Sequence, residues 1–398
     1  MLTVRPLRRE EVPAYDALSS ICFTYPLKPG ETTLTPEKLA EYHGAFDEDG
    51  CLAAGMIQLG MDARFEGHTC RLLGVGGVAT DPARRGQGAI RALFEEALPR
   101  QYAEGYVFSA LYPFSHVFYR KFGFEWALLK RRAQFSPTSL RDDLPRAASV
   151  VRVLPGEDDR GMRQVYERYA ASRNFAILRD DDRWQQLRKG TPWDQMKYAY
   201  VLRDEQGEPI AYWVGQTVKE QRTCLDIKDM AYVSPRGLAA ILSMWRAMNE
   251  FRAVRLYVPA DVELRYYMKD PYDMEGAPGE QTRCSGMVRV VNAARALAML
   301  PAPCRPGRFT VAVTDEQIPE NNGRFKVSGD GHALTVTRED AAEPDLRCGI
   351  GGLAVLIAGT VDYEAAVAAG LAQQSDGADA RFLAETFRKR HSFMHDDF

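Results

Sequence analysis

Apolar and polar positions follow two periods along this chain, and the change from one to the other is sharpest between Leu72 and Leu98. Leu72 to Thr80 is a run of apolar and glycine residues that reads as a buried strand, and Asp81-Pro82 reads as a turn. After a loop of glycine and arginine, Ile90, Leu93, Phe94, Ala97 and Leu98 recur at the spacing of one buried helix face. Around this core the first 150 residues alternate helix and strand signals. Helices are expected from Arg9 to Ile21 and from a Thr35 cap with Pro36 behind it. Strands are expected over Leu52–Met61, Thr69–Thr80 and Tyr106–Tyr112, with a turn at Glu66-Gly67. A short helix then ends at Gly123, and a strand starts at Glu125.

The next stretch has a similar pattern. Asp158–Ser172 reads as a helix, Tyr198–Val218 as a hairpin turning at Asp204–Gly207, and Leu225–Val233 as a strand. Ser234-Pro235 opens a helix to about Phe251. Val78-Ala79-Thr80-Asp81-Pro82 and Ala231-Tyr232-Val233-Ser234-Pro235 align as a weak internal repeat, whose second copy lacks the glycine loop. Beyond residue 285 a helix is expected over Val288–Leu300, and strands over Arg308–Val313, Gly323–Val327 and His332–Thr337. Helices follow over Ile350–Gly359, Tyr363–Ala372 and Ala380–Arg390.

Composition narrows the class. The chain has 398 residues, enough for two or three domains, with 45% hydrophobic residues to build their cores. A net charge of −3 gives no support to a nucleic-acid or membrane-surface partner, and no apolar run is long enough for a membrane span. The N-terminal residues lack a signal-peptide core, so the expected location is cytoplasmic. Seven scattered cysteines without a Cys-x-x-Cys pair point to reduced thiols. His391 and His395, with Asp396 and Asp397 beside them, have the spacing of two ligands on one helix face, but no third ligand is in sight. No metal is expected.

The loop Arg85-Gly86-Gln87-Gly88 directly precedes a helix, where unpaired backbone N–H groups and the helix dipole suit a phosphate or pyrophosphate. It lacks the Gly-x-Gly-x-x-Gly of a dinucleotide fold and the Gly-Lys-Ser/Thr of a nucleotide-triphosphate loop. On the residues alone, a helix entry serving only packing stays open. Thr80-Asp81-Pro82, Arg84-Arg85-Gly86-Gln87-Gly88-Ala89 and the later Phe118-Tyr119-Arg120-Lys121-Phe122-Gly123-Phe124 together resemble the GNAT acyl-CoA-dependent N-acetyltransferases. Ile90 and Arg91 depart from that family's usual loop in the manner of its enhanced-intracellular-survival (Eis) branch, whose members have a similar length.

That resemblance implies a mixed α/β (α+β) fold. Tandem GNAT-like domains with central mixed sheets would occupy 1–150 (catalytic) and 151–285 (degenerate), and a sterol-carrier-protein-like α+β domain 286–398. It implies acetyl-CoA as co-substrate, held by Val78, Ala79 and Thr80 and by Arg85, Gly86, Gln87, Gly88, Ala89, Ile90 and Arg91, with Phe114 and Ser115 as further contacts. Tyr119 would be the general acid, and the carboxylate of Phe398 would return to the site as the base. A phenol of reference pKa about 10 is a ready proton donor at neutral pH, whereas a carboxylate of about 3.5 is a weak base toward an ammonium of about 10. It needs a desolvating pocket or a relaying water, or it acts mainly by binding a cation.

The expected partner is a small-molecule primary amine such as an aminoglycoside, a polyamine or a lysine-like acceptor, and the expected assembly is a homohexamer. Phe23, Tyr25 and Tyr42 are candidate pocket walls, each open to a core reading as well, and His116, three residues before Tyr119, is a candidate for the entrance. The competing reading is a non-catalytic lipid or acyl-CoA carrier that uses an apolar tunnel in residues 286–398.

Overall fold

The computed structural model begins with β1 (Thr3–Pro6), α1 (Val12–Phe23), α2 (Pro36–Leu39), β2 (Tyr42–Phe46), β3 (Leu52–Phe65) and β4 (His68–Thr80). The glycine loop leads into α3 (Ala89–Ala103), then β5 (Phe108–Leu111), α4 (His116–Arg120) and β6 (Glu125–Phe135). Residues 2–218, 221–274, 280–339 and 343–398 are described. Contacts divide them into unit 1, from the N-terminus to Leu128 with Ser285–Arg390 and Asp396–Phe398, and unit 2, Leu129–Cys284 with His391–His395.

In unit 1, β1 to β4 pair antiparallel in order, and β5 lies parallel to β4. The buried face of α3 is the one its spacing predicts: Ile90, Leu93, Phe94, Ala97 and Leu98 pack in one cluster with Leu73 and Val75 of β4. Two irregularities of β4 decide what it can do. Its pairing with β5 runs only from Leu72↔Phe108 to Val75↔Leu111, so the strands part after Val75. Its register with β3 slips between Gly55↔Ala79 and Ile57↔Gly76, which leaves Gly77 and Val78 as a bulge.

Unit 2 takes up β6 from Leu129 onward and continues through β7 (Ser149–Arg152), α5 (Arg160–Ala170), β8 (Ala176–Ile177), α6 (Asp181–Arg188), β9 (Lys197–Arg203), β10 (Pro209–Val218), β11 (Gln221–Tyr232), α7 (Pro235–Arg246) and β12 (Ala253–Val258). The expected hairpin is β9 and β10, closed by the Gly207 N–H on the Asp204 carbonyl. The repeat has a structural basis, because β11 pairs with parallel β12 only over Cys224–Asp226 and then parts from it, as β4 does from β5. The glycine cradle is not repeated. Ser234 caps α7 by accepting from the Gly237 N–H, and the helix starts at once.

The chain returns to unit 1 at the end of β13 (Glu280–Val290), where Met287–Val290 pair antiparallel with β5. The helix expected over Val288–Leu300 is therefore wrong in its first half, and only α8 (Ala293–Ala298) forms. Branched Val288, Val290 and Val291 favour the extended chain, and Asn292 caps the shorter helix by accepting from the Arg295 N–H at 3.0 Å. A second sheet follows, of β14 (Pro306–Thr314), β15 (Gly323–Asp330), β16 (Leu334–Arg338), β17 (Leu346–Gly349) and β18 (Gln373–Gln374), ordered β16-β15-β14-β17-β18. Helices α9 (Ile350–Ala358), α10 (Tyr363–Ala368) and α11 (Ala380–Thr386) accompany it. Because α11 ends at Thr386, the tail is extended and His391 and His395 share no helix face.

Candidate functional site

The loop before α3 has the geometry of an anion cradle. Gly86 and Gly88 sit in left-handed backbone, at φ +81° and +82°, and among the described residues nothing lies within 4 Å of where a Cβ would stand on either. Gly88 is the residue before α3, and its carbonyl accepts the first helical bond from Ala92. The N–H groups of Ala89, Ile90 and Arg91 therefore have no carbonyl within the helix to bond. Arg84 is used structurally, bonding Asp47 at 2.9 Å and Asp81 at 2.6 Å, while Asp81 also accepts from the Ala83 N–H. Arg85, Gln87 and Arg91 are exposed. Ile90 turns its side chain into the core, so only its backbone faces the loop. The residues present therefore fit a pyrophosphate.

Val78, Ala79 and Thr80 form the end of β4 beyond its parting from β5. Val78 packs with the α3 cluster, and Ala79 and Thr80 stay paired with Gly55 and Ala54 of β3. Tyr119, on α4, is 3% exposed in an aromatic nest of Phe94, Phe114, Phe118 and Phe124. Burial pushes its phenol well above the ordinary value, which keeps it protonated. Ser115 caps α4 by accepting from the Phe118 N–H, and Phe114 is 73% exposed. His116 buries an Nε2 that has no hydrogen-bond partner among the described residues.

Phe398 comes back to β4. Its ring edge lies 2.8 Å from where a Cβ on Gly74 would stand, and its carboxyl carbon 3.1 Å from the same point on Gly76. Tyr112, next after β5, holds the tail from the other direction. Its ring is 5.3 Å from that of Phe398, and its hydroxyl donates to the Asp396 carbonyl at 2.8 Å. Burial, and then the charges of Asp397 and Asp396, push the Tyr112 phenol far upward. Phe398 thus packs on Gly74 and Gly76 of β4, whereas Tyr119 packs in the α3 cluster with Leu73 and Val75 of the same strand. Of the candidate pocket walls, Phe23 and Tyr25 are 48% and 43% exposed, and Tyr42 packs edge-on against Tyr15. Sequence reasoning passed over Gly74, Gly76, Tyr112 and Tyr15. The signal was there in Gly74-Val75-Gly76-Gly77, since glycine inside a strand marks close approach by another group.

In unit 2, His395 lies 3.2 Å through Nδ1 from Asp229 and 3.3 Å through Nε2 from the Tyr169 hydroxyl, while His391 is exposed. Among the described residues no cluster of three or more His, Cys, Asp or Glu could hold a metal. The six cysteines whose side chains are described are free thiols. A groove of about 740 Å³ at Pro301–Arg305 and α11 mixes charged Arg305, Arg381, Arg388, Glu364 and Glu385 with small apolar residues of both segments. Among the described residues no helix is long and apolar enough to cross a membrane.

Residues 3–127 and 176–290 each match a model described as an acetyltransferase (GNAT) domain, and residues 293–395 match a sterol carrier protein domain. The chain is a GNAT acyltransferase. Its organisation is Eis-like, with two GNAT domains followed by the sterol carrier protein domain, and acetyl-CoA is the co-substrate of such domains. No curated protein matches it in sequence. Solved structures share its fold over the full chain. A GCN5-related N-acetyltransferase from Anabaena variabilis is 19% identical with a TM-score of 0.87, each chain covered completely. Eis1 from Mycobacterium abscessus is 18% identical with a TM-score of 0.82, again with both chains covered completely. A GCN5-related N-acetyltransferase from Kribbella flavida is 20% identical with a TM-score of 0.82, covering all of this chain and 98% of its own.

Proposed function

We propose that this GNAT acyltransferase moves acetyl from acetyl-CoA to a primary amine, in one step, at a site built on β4. The observation that carries the reading is the parting of β4 from β5 beside the glycine cradle, which exposes strand and loop amides together. We assign the segments 1–150, 151–285 and 286–398 to the catalytic, degenerate and sterol-carrier-like parts. By the resemblance to the Eis branch we assign the chain to a homohexamer, and we place it in the cytoplasm.

Acetyl-CoA supplies the acyl group as a thioester. Backbone N–H groups of Gly86 to Arg91 hold its pyrophosphate, with the exposed Arg85 and Arg91 adding charge. Val78, Ala79 and Thr80 bond the pantetheine amides as a strand would, and Phe114 and Ser115 flank it. As the amine nitrogen bonds to the acyl carbon and the carbon–sulfur bond breaks, Tyr119 gives its proton to sulfur. The Phe398 carboxylate, helped by Asp396 and Asp397, binds the cationic acceptor and takes the amine proton, directly or through water. Aminoglycosides, polyamines and lysine-like amines all meet these requirements.

Tyr119→Phe is expected to lower kcat about a hundredfold and to leave KM for acetyl-CoA within about twofold. Residues appended after Phe398 are expected to abolish transfer while acetyl-CoA still binds. Steady-state kinetics with a panel of the three amine classes reads both. Unchanged turnover in the first variant removes Tyr119 from the chemistry, and full activity in the second removes the carboxylate.

A further inference from the structure

Where β4 leaves β5, a helix takes over part of the strand's hydrogen bonding. Tyr15 and Cys22 lie seven residues apart, on one face of α1. The Tyr15 hydroxyl donates to the Gly77 carbonyl at 2.6 Å, and the Cys22 thiol to the Thr80 carbonyl at 3.3 Å. The Tyr15 ring also fills space that two glycines leave. A Cβ on Gly55 would stand 2.6 Å from it, and a Cβ on Gly77 would overlap its hydroxyl. Gly77 sits at φ +57° in the bulge, the one place on β4 where neither neighbouring strand sets the direction of the peptide.

A trans peptide is planar, with its C=O and N–H pointing in opposite directions. Fixing the Gly77 carbonyl toward α1 therefore turns the Val78 N–H away from α1. The Val78 side chain packs with the cluster that holds α3 and Tyr119, while Tyr15 of α1 packs in a separate one, so the side of β4 away from α1 is that of the general acid. We propose, building on the acyl-transfer reading above, that Tyr15 is a positioning residue: through the Gly77 peptide it aims the Val78 N–H at the acyl oxygen of the donor. Charge grows on that oxygen as the amine attacks, and a donor already fixed in place costs no reorganisation at that moment. The phenol is 3% exposed, and burial keeps it protonated, so its own hydrogen bond does not change with pH in the working range.

The test is Tyr15→Phe, which keeps the ring and removes only the hydroxyl. Expected are a fall in kcat of about ten- to a hundredfold, KM for acetyl-CoA within about twofold, and a melting temperature within a few degrees. Isotope-edited infrared spectroscopy with carbonyl-labelled acetyl-CoA is expected to show the thioester carbonyl of the wild-type complex shifted to lower frequency, and that shift reduced in the variant. In the wild type, the Val78 amide proton resonance is expected to lie further downfield with acetyl-CoA bound than with CoA bound, a check that needs no variant to fold. An unchanged kcat and carbonyl frequency overturn the assignment. So does a loss of activity that follows KM or melting temperature while the frequency stays put. A wild type that binds acetyl-CoA without transferring acetyl to any amine overturns the acyl-transfer reading instead, and the role of Tyr15 falls with it.

Discussion

Three glycines in four positions make β4 a bare surface, and each vacancy is filled by a different group. Phe398 covers Gly74 with its ring and Gly76 with its carboxyl group, and Tyr15 occupies the place of a side chain on Gly77. A methyl at Gly76 would stand 3.1 Å from the carboxyl carbon and 3.3 Å from its oxygen, closer than ordinary contact, so the tail must give by a few tenths of an ångström. Gly76→Ala is therefore expected to lower kcat about tenfold with little change in melting temperature, as seen in paired kinetic and thermal measurements. A loss of stability without a loss of turnover would show that the position of the carboxylate does not matter.

Helix α3 has no side-chain cap, because its Ncap residue is a glycine at φ +82° with open space around it. Gly88→Ala meets no steric obstacle, so its effect must come from the backbone. The expected cost is about 1 kcal/mol for a left-handed alanine, and KM for acetyl-CoA is expected to rise about tenfold as the cradle's amides turn. Denaturant unfolding and initial rates measure the two separately, and a variant with unaltered KM would exclude the loop as the pyrophosphate site. Strand β4 and helix α3 were legible in the sequence because each buries one face against a neighbour and so shows a clean period. Val288–Val290 was not, since a short apolar run fits either period and only its pairing with β5 makes it a strand. Strands β2 and β12 and helix α6 were missed. In α6 the run of Asp181, Asp182, Arg183, Gln185 and Gln186 around a single buried Trp184 shows no apolar stripe. Within the site, Gly86 to Arg91 could be read because the cradle is local. Tyr15 could not, because its partner is 62 residues away and the bond exists only once α1 packs on β4.

Each unit buries an arginine–aspartate pair. In unit 2 it is Arg179 and Asp229, 2.7 Å apart with side chains 3% and 2% exposed, joined by the Tyr212 hydroxyl and by His395. Burial opposes the charge on Asp229, but Arg179 and His395 outweigh it and hold the carboxyl far below its usual range. A depressed folded-state pKa stabilises fully above the unfolded value of about 3.9 and is lost as pH falls below it. Asp229→Asn, which strands Arg179, is expected to destabilise unit 2 by about 3–5 kcal/mol at pH 7, and the gap to the wild type is expected to narrow as pH falls below about 4. Urea unfolding followed at several pH values checks this, and a gap that does not depend on pH would contradict it. In unit 1 the pair is Arg289 and Asp315, both fully buried, and Arg289 also donates to the Phe122 carbonyl just after α4. Arg289 stands on β13, which pairs with β5, so the sheet that bears the cradle is completed by residues more than 170 positions further along the chain. That arrangement limits how such a protein can be inherited. The segment with the catalytic motifs cannot be shuffled into another gene alone, because a recombination point anywhere between Leu111 and Met287 would part it from the strand that closes its sheet.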